Sequence, residues 1–205
     1  MQSTLTKKIA PPKTARGIKT RAKILAAAEQ VFGSKGFHAA SIAEITQFAE
    51  VSQGTFYIYF PDKEEAFRAL VEHMGDETQA YIRNRTGAAQ TRLDAERLGL
   101  QAFLSFVAEH KNLYRIVLES LSVDEAIYRS YFSKFGALYQ SRLGSAAANG
   151  EITAGDMEVR AWCLMGISHF LGMRYGLWDN PEEHGRVVDA ATDFITNGLH
   201  ARGGE

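Results

Sequence analysis

Apolar residues recur three and four positions apart over most of the chain, and no stretch alternates strictly between apolar and polar. That period places apolar side chains on one face of a helix and argues against strands. Prolines stand at 11, 12, 61 and 181, leaving long stretches in which a helix need not break. The pattern predicts an all-α fold of about nine helices. The first runs from Ile18 to Ser34, with Ile24, Leu25, Ala28, Val31 and Phe32 on its apolar face and Lys35-Gly36 as its stop. The second begins at Ser41, which has capping-box spacing to Glu44, turns Ile42 and Ile45 inward, and ends near Ala49. A short third helix starts after Ser52, a favourable N-cap, and reaches about Tyr59. Pro61-Asp62 breaks the chain, and Asp62 with Glu65 opens a long fourth helix to about Arg85.

Beyond a hinge at Thr86 to Gln90, a fifth helix covers Thr91 to Glu109 and a short sixth Asn112 to Ser120. The seventh runs from Asp124 to Ala148 and stops at Asn149-Gly150; the eighth runs from Asp156 to about Gly176. Asn180-Pro181-Glu182-Glu183 combines an N-cap, proline at the first helical position and glutamate at the third, and opens a ninth helix that ends at Asn197-Gly198. Val159 to Trp178 is apolar enough to be weighed as a membrane span. Arg160, His169 and Arg174 within it, and a mean hydropathy of -0.20 for the chain, make it a buried helix instead.

Composition narrows the class. The 205 residues are 45% hydrophobic and 23% charged, ordinary for a globular protein with a real core. The single cysteine, Cys163, excludes an internal disulfide, and residues 1–12 lack the apolar run of a signal peptide, so a cytoplasmic protein without membrane attachment is expected. Net charge is -1, but seven of the 23 basic residues fall within residues 1–28, ahead of the first acid, Glu29. The remaining 16 are outnumbered by the 24 acidic residues. A basic arm on an acidic body fits an acidic polymer as target, and fits a solvated tail as well.

Residues 41–60, SIAEITQFAEVSQGTFYIYF, hold two short helices joined at Ala49-Glu50-Val51. The second is too short and too polar to serve mainly as core. Gln53, Thr55, Tyr57 and Tyr59 lie off the surface that Phe56 occupies, and such side chains reach phosphates and base edges in a major groove. This is a helix-turn-helix arrangement, although two small helices of an ordinary bundle share the pattern. Ser41-Ile42-Ala43-Glu44-Ile45, the run Ala49 to Phe60 and Asp62-Lys63-Glu64-Glu65 further resemble the DNA-binding signature of TetR/AcrR-type transcriptional repressors. The resemblance implies a basic arm (1–17), a helix-turn-helix domain (18–62) and a helical effector-binding and dimerisation domain (63–205). It implies base or nearby backbone contacts from Gln53, Gly54, Thr55 and Tyr57, a thymine-methyl contact from Ile58, and phosphate contacts from Ser41, Ser52, Tyr59 and Lys63. Tyr57 is equally placed to pack on the first helix, and Phe60 is expected to do so. One departure is Glu50, where the family usually has glycine. A left-handed backbone there would cost glutamate on the order of 1 kcal/mol and would bring a carboxylate near the DNA face.

The resemblance also implies a homodimer on a palindromic double-stranded operator, formed through the last two helices, and an unknown small-molecule effector. Gly166, Gly172 and Gly176 each cost about 1 kcal/mol inside a helix and suggest close backbone approach to another helix. Trp162, Met165, His169 and Met173 make one face of the eighth helix; Val187, Val188, Ala191, Phe194 and Ile195 make a matching face of the ninth, and part of each is expected to pack within one subunit. Phe103, Phe106, Tyr114, Tyr128, Tyr131, Phe135, Phe170 and Trp178 are core by default and, by the resemblance, candidates to line an effector pocket for an aromatic or acyl-CoA-like molecule. Arg174, in an apolar helix, is expected to meet an acid across the dimer or an anionic group of the ligand. No cofactor and no metal site is expected. A helical-bundle enzyme finds no support: G-x-S-x-G, H-E-x-x-H, a P-loop, G-x-G-x-x-G and E-x-x-H are all missing. A protein-binding adaptor without DNA binding leaves the polar face of residues 53–59 unexplained.

Overall fold

The computed structural model describes residues 9–178 and 183–198. Among them there is no strand, as the apolar period predicted. The helices are α1 (Ala15–Ala39), α2 (Ile42–Phe48), α3 (Gln53–Tyr59), α4 (Lys63–Thr86), α5 (Arg92–Glu109), α6 (Lys111–Val123), α7 (Glu125–Ala148), α8 (Met157–Leu171) and α9 (His184–Asn197), with a π-helical segment (Gly172–Trp178) after α8. Their starts are chemically defined. Thr14, Ser52, Thr91 and Asp156 accept hydrogen bonds from the amides of Gly17, Thr55, Asp94 and Val159, each at 3.1 Å. Ser41 and Glu44 form the full capping box. The start signal at Asn180, Pro181 and Glu182 lies outside the described residues, and Glu183 makes no capping bond to α9. No helix among the described residues is long and apolar enough to cross a membrane.

The chain forms two compact units. The first takes residues 1–75 and 112–129, so the start of α4 and nearly all of α6 join α1–α3. Compactness thus cuts the chain differently from the functional boundary expected after residue 62. The reason is aromatic: Phe67 of α4 meets Phe32 and Phe37 of α1 edge-on, at 5.2 and 5.1 Å between centroids. Ile24, Leu25, Ala28, Val31 and Phe32 are all buried, as the apolar face of α1 predicted. The main run of α1 ends at Gly36 (φ 77), the expected stop, and one further turn follows to Ala39. Glu119 of α6 accepts the Phe37 amide at 2.8 Å, and its Oε1 lies 2.9 Å from where a Cβ on Gly36 would stand.

The second unit takes residues 76–111 and 130–205. Its described core centres on α5, where Leu100 and Leu104 cluster with Val187, Val188 and Ala191 of α9 and with Ile167, Leu171 and Tyr175. Part of the apolar face of α9, Val187, Val188 and Ala191, is thus spent inside its own chain, while Phe194 stays exposed. A correction concerns α8, which stops being α-helical at Leu171. From there the backbone itself packs on α5: a Cβ would stand 2.6 Å from Phe103 at Gly172 and 2.8 Å from Val107 at Gly176. Two of the three glycines therefore mark a close approach, within one chain, while Gly166 has no neighbour within 4 Å. Nearby, the buried Glu96 carboxylate accepts from Arg92 Nε at 2.7 Å and from the Tyr139 hydroxyl at 2.5 Å. Burial, then the Glu96 charge, push the Tyr139 hydroxyl pKa upward. Desolvation pushes Tyr131 up to about 12, against a hydrogen bond from Thr78 that lowers it.

These clearances order three substitutions. Gly36→Ala meets both a left-handed backbone and Glu119, and lowers stability by about 2 kcal/mol in urea unfolding. Gly172→Ala overpacks Phe103 and costs about 1–3 kcal/mol. Gly144→Ala in α7, where a Cβ meets nothing within 4 Å, stabilises by up to about 1 kcal/mol. Equal effects at the three sites would contradict the packing described.

Candidate nucleic-acid interface

A seven-residue helix is not stable alone. α3 is held by its caps and two aromatic anchors. Ser52 Oγ accepts the Thr55 amide and shares a 2.9 Å hydrogen bond with the Thr55 hydroxyl. Phe56 and Phe60 are fully buried, 5.5 Å apart, and the Arg21 guanidinium of α1 lies 5.2 Å from the Phe60 ring. Phe60 therefore packs as expected. The opposite side of α3 faces solvent: Gln53 and Gly54 are exposed, as are Tyr57 (49%) and Ile58 (65%). Tyr57 sets its ring edge-on to Phe56 at 5.6 Å and leaves much of its surface open. Tyr59 is half-buried, with its hydroxyl 3.6 Å from where a Cβ on Gly17 would stand.

The turn from α2 into α3 is a Schellman motif. The Val51 amide bonds the Thr46 carbonyl at 3.0 Å and the Glu50 amide bonds the Gln47 carbonyl at 3.1 Å. Its left-handed residue is Glu50, at φ 48. The carboxylate that the sequence places near the DNA face is ion-paired with Lys23 of α1, 2.6 Å from its Nζ. Hydrogen bonding and attraction from Lys23 lower the Glu50 pKa. Lys35 pairs likewise with Glu44, and with Ser41 it lowers the Glu44 pKa.

Two expected phosphate contacts have other partners here. Ser41 directs both its hydroxyl and its amide at Glu44 Oε2, at 2.9 and 3.1 Å. Lys63 bonds the carbonyls of Phe37 and Ala40 at 2.8 and 2.9 Å and lies 4.4 Å from the Phe37 ring. It caps the end of α1, with one ammonium proton left over. Lys23, in α1, is not singled out by the sequence from the other basic residues ahead of Glu29, nor is exposed Phe48 at the end of α2. Its helix is too short for periodicity to separate its faces.

The aromatic residues proposed as a pocket are scattered. Tyr114 and Tyr128 belong to the first unit, Tyr114 being buried there. In the second unit Phe106 is buried against His110 and Tyr81, Tyr131 meets Phe135 at a tilt with ring centroids 5.0 Å apart, and Phe103 stands over Gly172. Phe170 (64%) and Trp178 (62%) are exposed, which removes them from an enclosed lining. Arg174 is exposed on the single chain, 5.3 Å from the Tyr175 ring, and is not buried within its own unit. A cavity of about 720 Å³ in this unit is lined by none of these residues; Arg92, Glu96, Leu143, Arg160, Cys163 and Phe194 border it. A second, of about 460 Å³, includes Phe170. No group of residues suited to hold a metal occurs among the described residues.

A family model described as "Bacterial regulatory proteins, tetR family" matches residues 24–70, the span from α1 through α3 into α4. The uncharacterized HTH-type transcriptional regulator YvdT of Bacillus subtilis is 30% identical over 139 residues, 65% of this chain and 70% of that protein. The HTH-type transcriptional activator FasR of Mycolicibacterium smegmatis is 30% identical over 105 residues, 51% of this chain but only 48% of its own length. The transcriptional regulator FadR from Bacillus subtilis, solved in complex with stearoyl-CoA, shares the fold at a TM-score of 0.74 and 20% identity, over 87% of this chain and 99% of that one. With the capped α2–turn–α3 unit and its exposed polar face, these likenesses mean that the chain belongs to the TetR family of helix-turn-helix transcriptional regulators.

Proposed function

We propose that the protein is a homodimeric repressor that binds a palindromic operator in the cytoplasm and is released by a small-molecule effector of the acyl-CoA class. The observation that carries the DNA part is the asymmetry of α3: Phe56 and Phe60 sunk in the core, Gln53, Tyr57 and Ile58 in solvent. In this reading residues 1–17 are a basic arm, 18–62 the DNA-binding domain and 63–205 the effector and dimerisation domain. Gln53, Gly54, Thr55 and Tyr57 meet base edges or the adjacent backbone, and Ile58 a thymine methyl. Ser52, Tyr59 and the remaining proton of Lys63 serve phosphates, and Ser41 does so only by releasing Glu44.

One such helix reads few base pairs, so affinity requires two copies. The support for a dimer is an apolar surface on α8, the π-helical segment and α9, where Val159, Trp162, Phe170, Trp178 and Phe194 are all exposed. Gly166 leaves room there for a partner helix. The support for the effector class is the fold shared with a regulator that binds stearoyl-CoA, together with the apolar interior of the second unit. An effector held in that unit would act through α4, which is continuous from one unit into the other. FasR, an activator by name, is the reason to test the sign of regulation with a reporter gene.

Gln53→Ala weakens binding to a duplex selected by the wild-type protein by about 1–3 kcal/mol and relaxes base preference at one position. Tyr57→Ala weakens it about tenfold or more, with little change in melting temperature. Mobility shifts and thermal unfolding measure both, and unchanged binding in both would overturn the DNA-facing assignment. Phe170→Glu shifts sedimentation from dimer to monomer and weakens operator binding with it. A dimer that survives this change places the interface elsewhere. Stearoyl-CoA, and not coenzyme A alone, raises the melting temperature by several degrees and releases the operator. An absence of both effects across short and long acyl chains removes acyl-CoA as the effector class.

A further inference from the structure

Four described residues at helix ends or kinks have positive φ: Gly36, Gly150 and Gly198 are glycines, and Glu50 (φ 48) is the exception. The comparison is close, because α7 ends in the same motif as α2. There the Glu151 amide bonds the Ala146 carbonyl and the Gly150 amide bonds the Ala147 carbonyl, and glycine holds the left-handed position. Folding does not explain the glutamate. Its backbone is disfavoured relative to glycine. The ion pair it gains joins a Lys23 side chain 47% exposed to a Glu50 side chain 80% exposed. Exposed pairs of that kind add little or nothing measurable to stability. A strained residue that the fold does not need is a functional candidate.

The position indicates the function. Glu50 lies two residues before Ser52, the cap of α3, and the partner it holds is one of the seven basic residues that precede the first acid in the chain. We infer that Glu50 is an internal phosphate mimic: it occupies Lys23 in the free protein and thereby sets a sequence-independent brake on DNA affinity. The inference rests on α3 being the DNA-facing helix. A duplex seated on α3 brings its phosphates near this turn. It must take Lys23 from the carboxylate or forgo that contact, and in either case it meets the negative charge of Glu50. The penalty is the same for every sequence, so it lowers operator and non-operator binding together and leaves discrimination to Gln53, Thr55 and Tyr57. It also removes one cation from the count that governs salt dependence.

Glu50→Gln and the double variant Lys23→Gln/Glu50→Gln test this on a duplex selected from random DNA by the wild-type protein and on a scrambled duplex of equal length. Glu50→Gln is expected to bind both about tenfold tighter near 0.1 M salt, with their affinity ratio unchanged and a log–log salt slope steeper by about 0.9. In the double variant the slope returns to the wild-type value and most of the gain is lost. Glu50→Gly, which suits the turn, is expected to reproduce Glu50→Gln and separates charge from folding. Wild-type affinity and slope in Glu50→Gln and Glu50→Gly overturn the inference while leaving the DNA-binding reading intact. A gain that persists in full without Lys23 also overturns it. Failure of the wild-type protein to bind any duplex overturns that reading, and the inference with it.

Discussion

A helix of seven residues holds its shape only if something outside it supplies the stabilisation that its own hydrogen bonds cannot. Burial of Phe56 and Phe60 is that support, and the rest of the first unit is arranged to provide it. The buried face of α1, the aromatic contact among Phe32, Phe37 and Phe67, and the Ser41–Glu44 capping box and the turn after α2 fix where the two anchors sit. What remains outside is a short polar surface whose orientation is set by a rigid core. A surface positioned in this way can read a groove without first paying to order itself.

The same unit is dense in hydrogen bonds that span long stretches of sequence. Lys63 holds the last carbonyls of α1, and Glu119 of α6 holds the amide just past the Gly36 kink. Residues from the start of α4 and from α6 therefore determine how α1 ends, and α1 in turn supports α3. Three cations of this unit are engaged within the protein, Lys63 at carbonyls and Lys23 and Lys35 at carboxylates.

The second unit follows a different rule. Its helices approach so closely that side chains are removed at the contact, as at Gly172 over Phe103 and Gly176 over Val107, and the helix widens into a π-helical segment there. Val187, Val188 and Ala191 are consumed by the core around α5. Apolar residues outside that core, Phe170, Trp178 and Phe194 among them, remain as surface. The division between inner and outer apolar faces is drawn by packing within the chain.

Much of this was legible in the order of residues. Local rules depend on neighbours in sequence, so the caps at Ser41 and Ser52, the stops at Gly36 and Gly150 and the limits of α3 could be read directly, whereas the left-handed backbone at Glu50 followed only conditionally from the family resemblance. Which side of an amphipathic helix is inside its own chain is a different matter, because it depends on what the fold brings against it. That choice buried Val187 and exposed Phe170, turned Arg174 to solvent, and gave Ser41 and Lys63 partners within the protein. Periodicity marks a face as apolar; only contact between elements distant in sequence decides whether that face is core, cavity or interface.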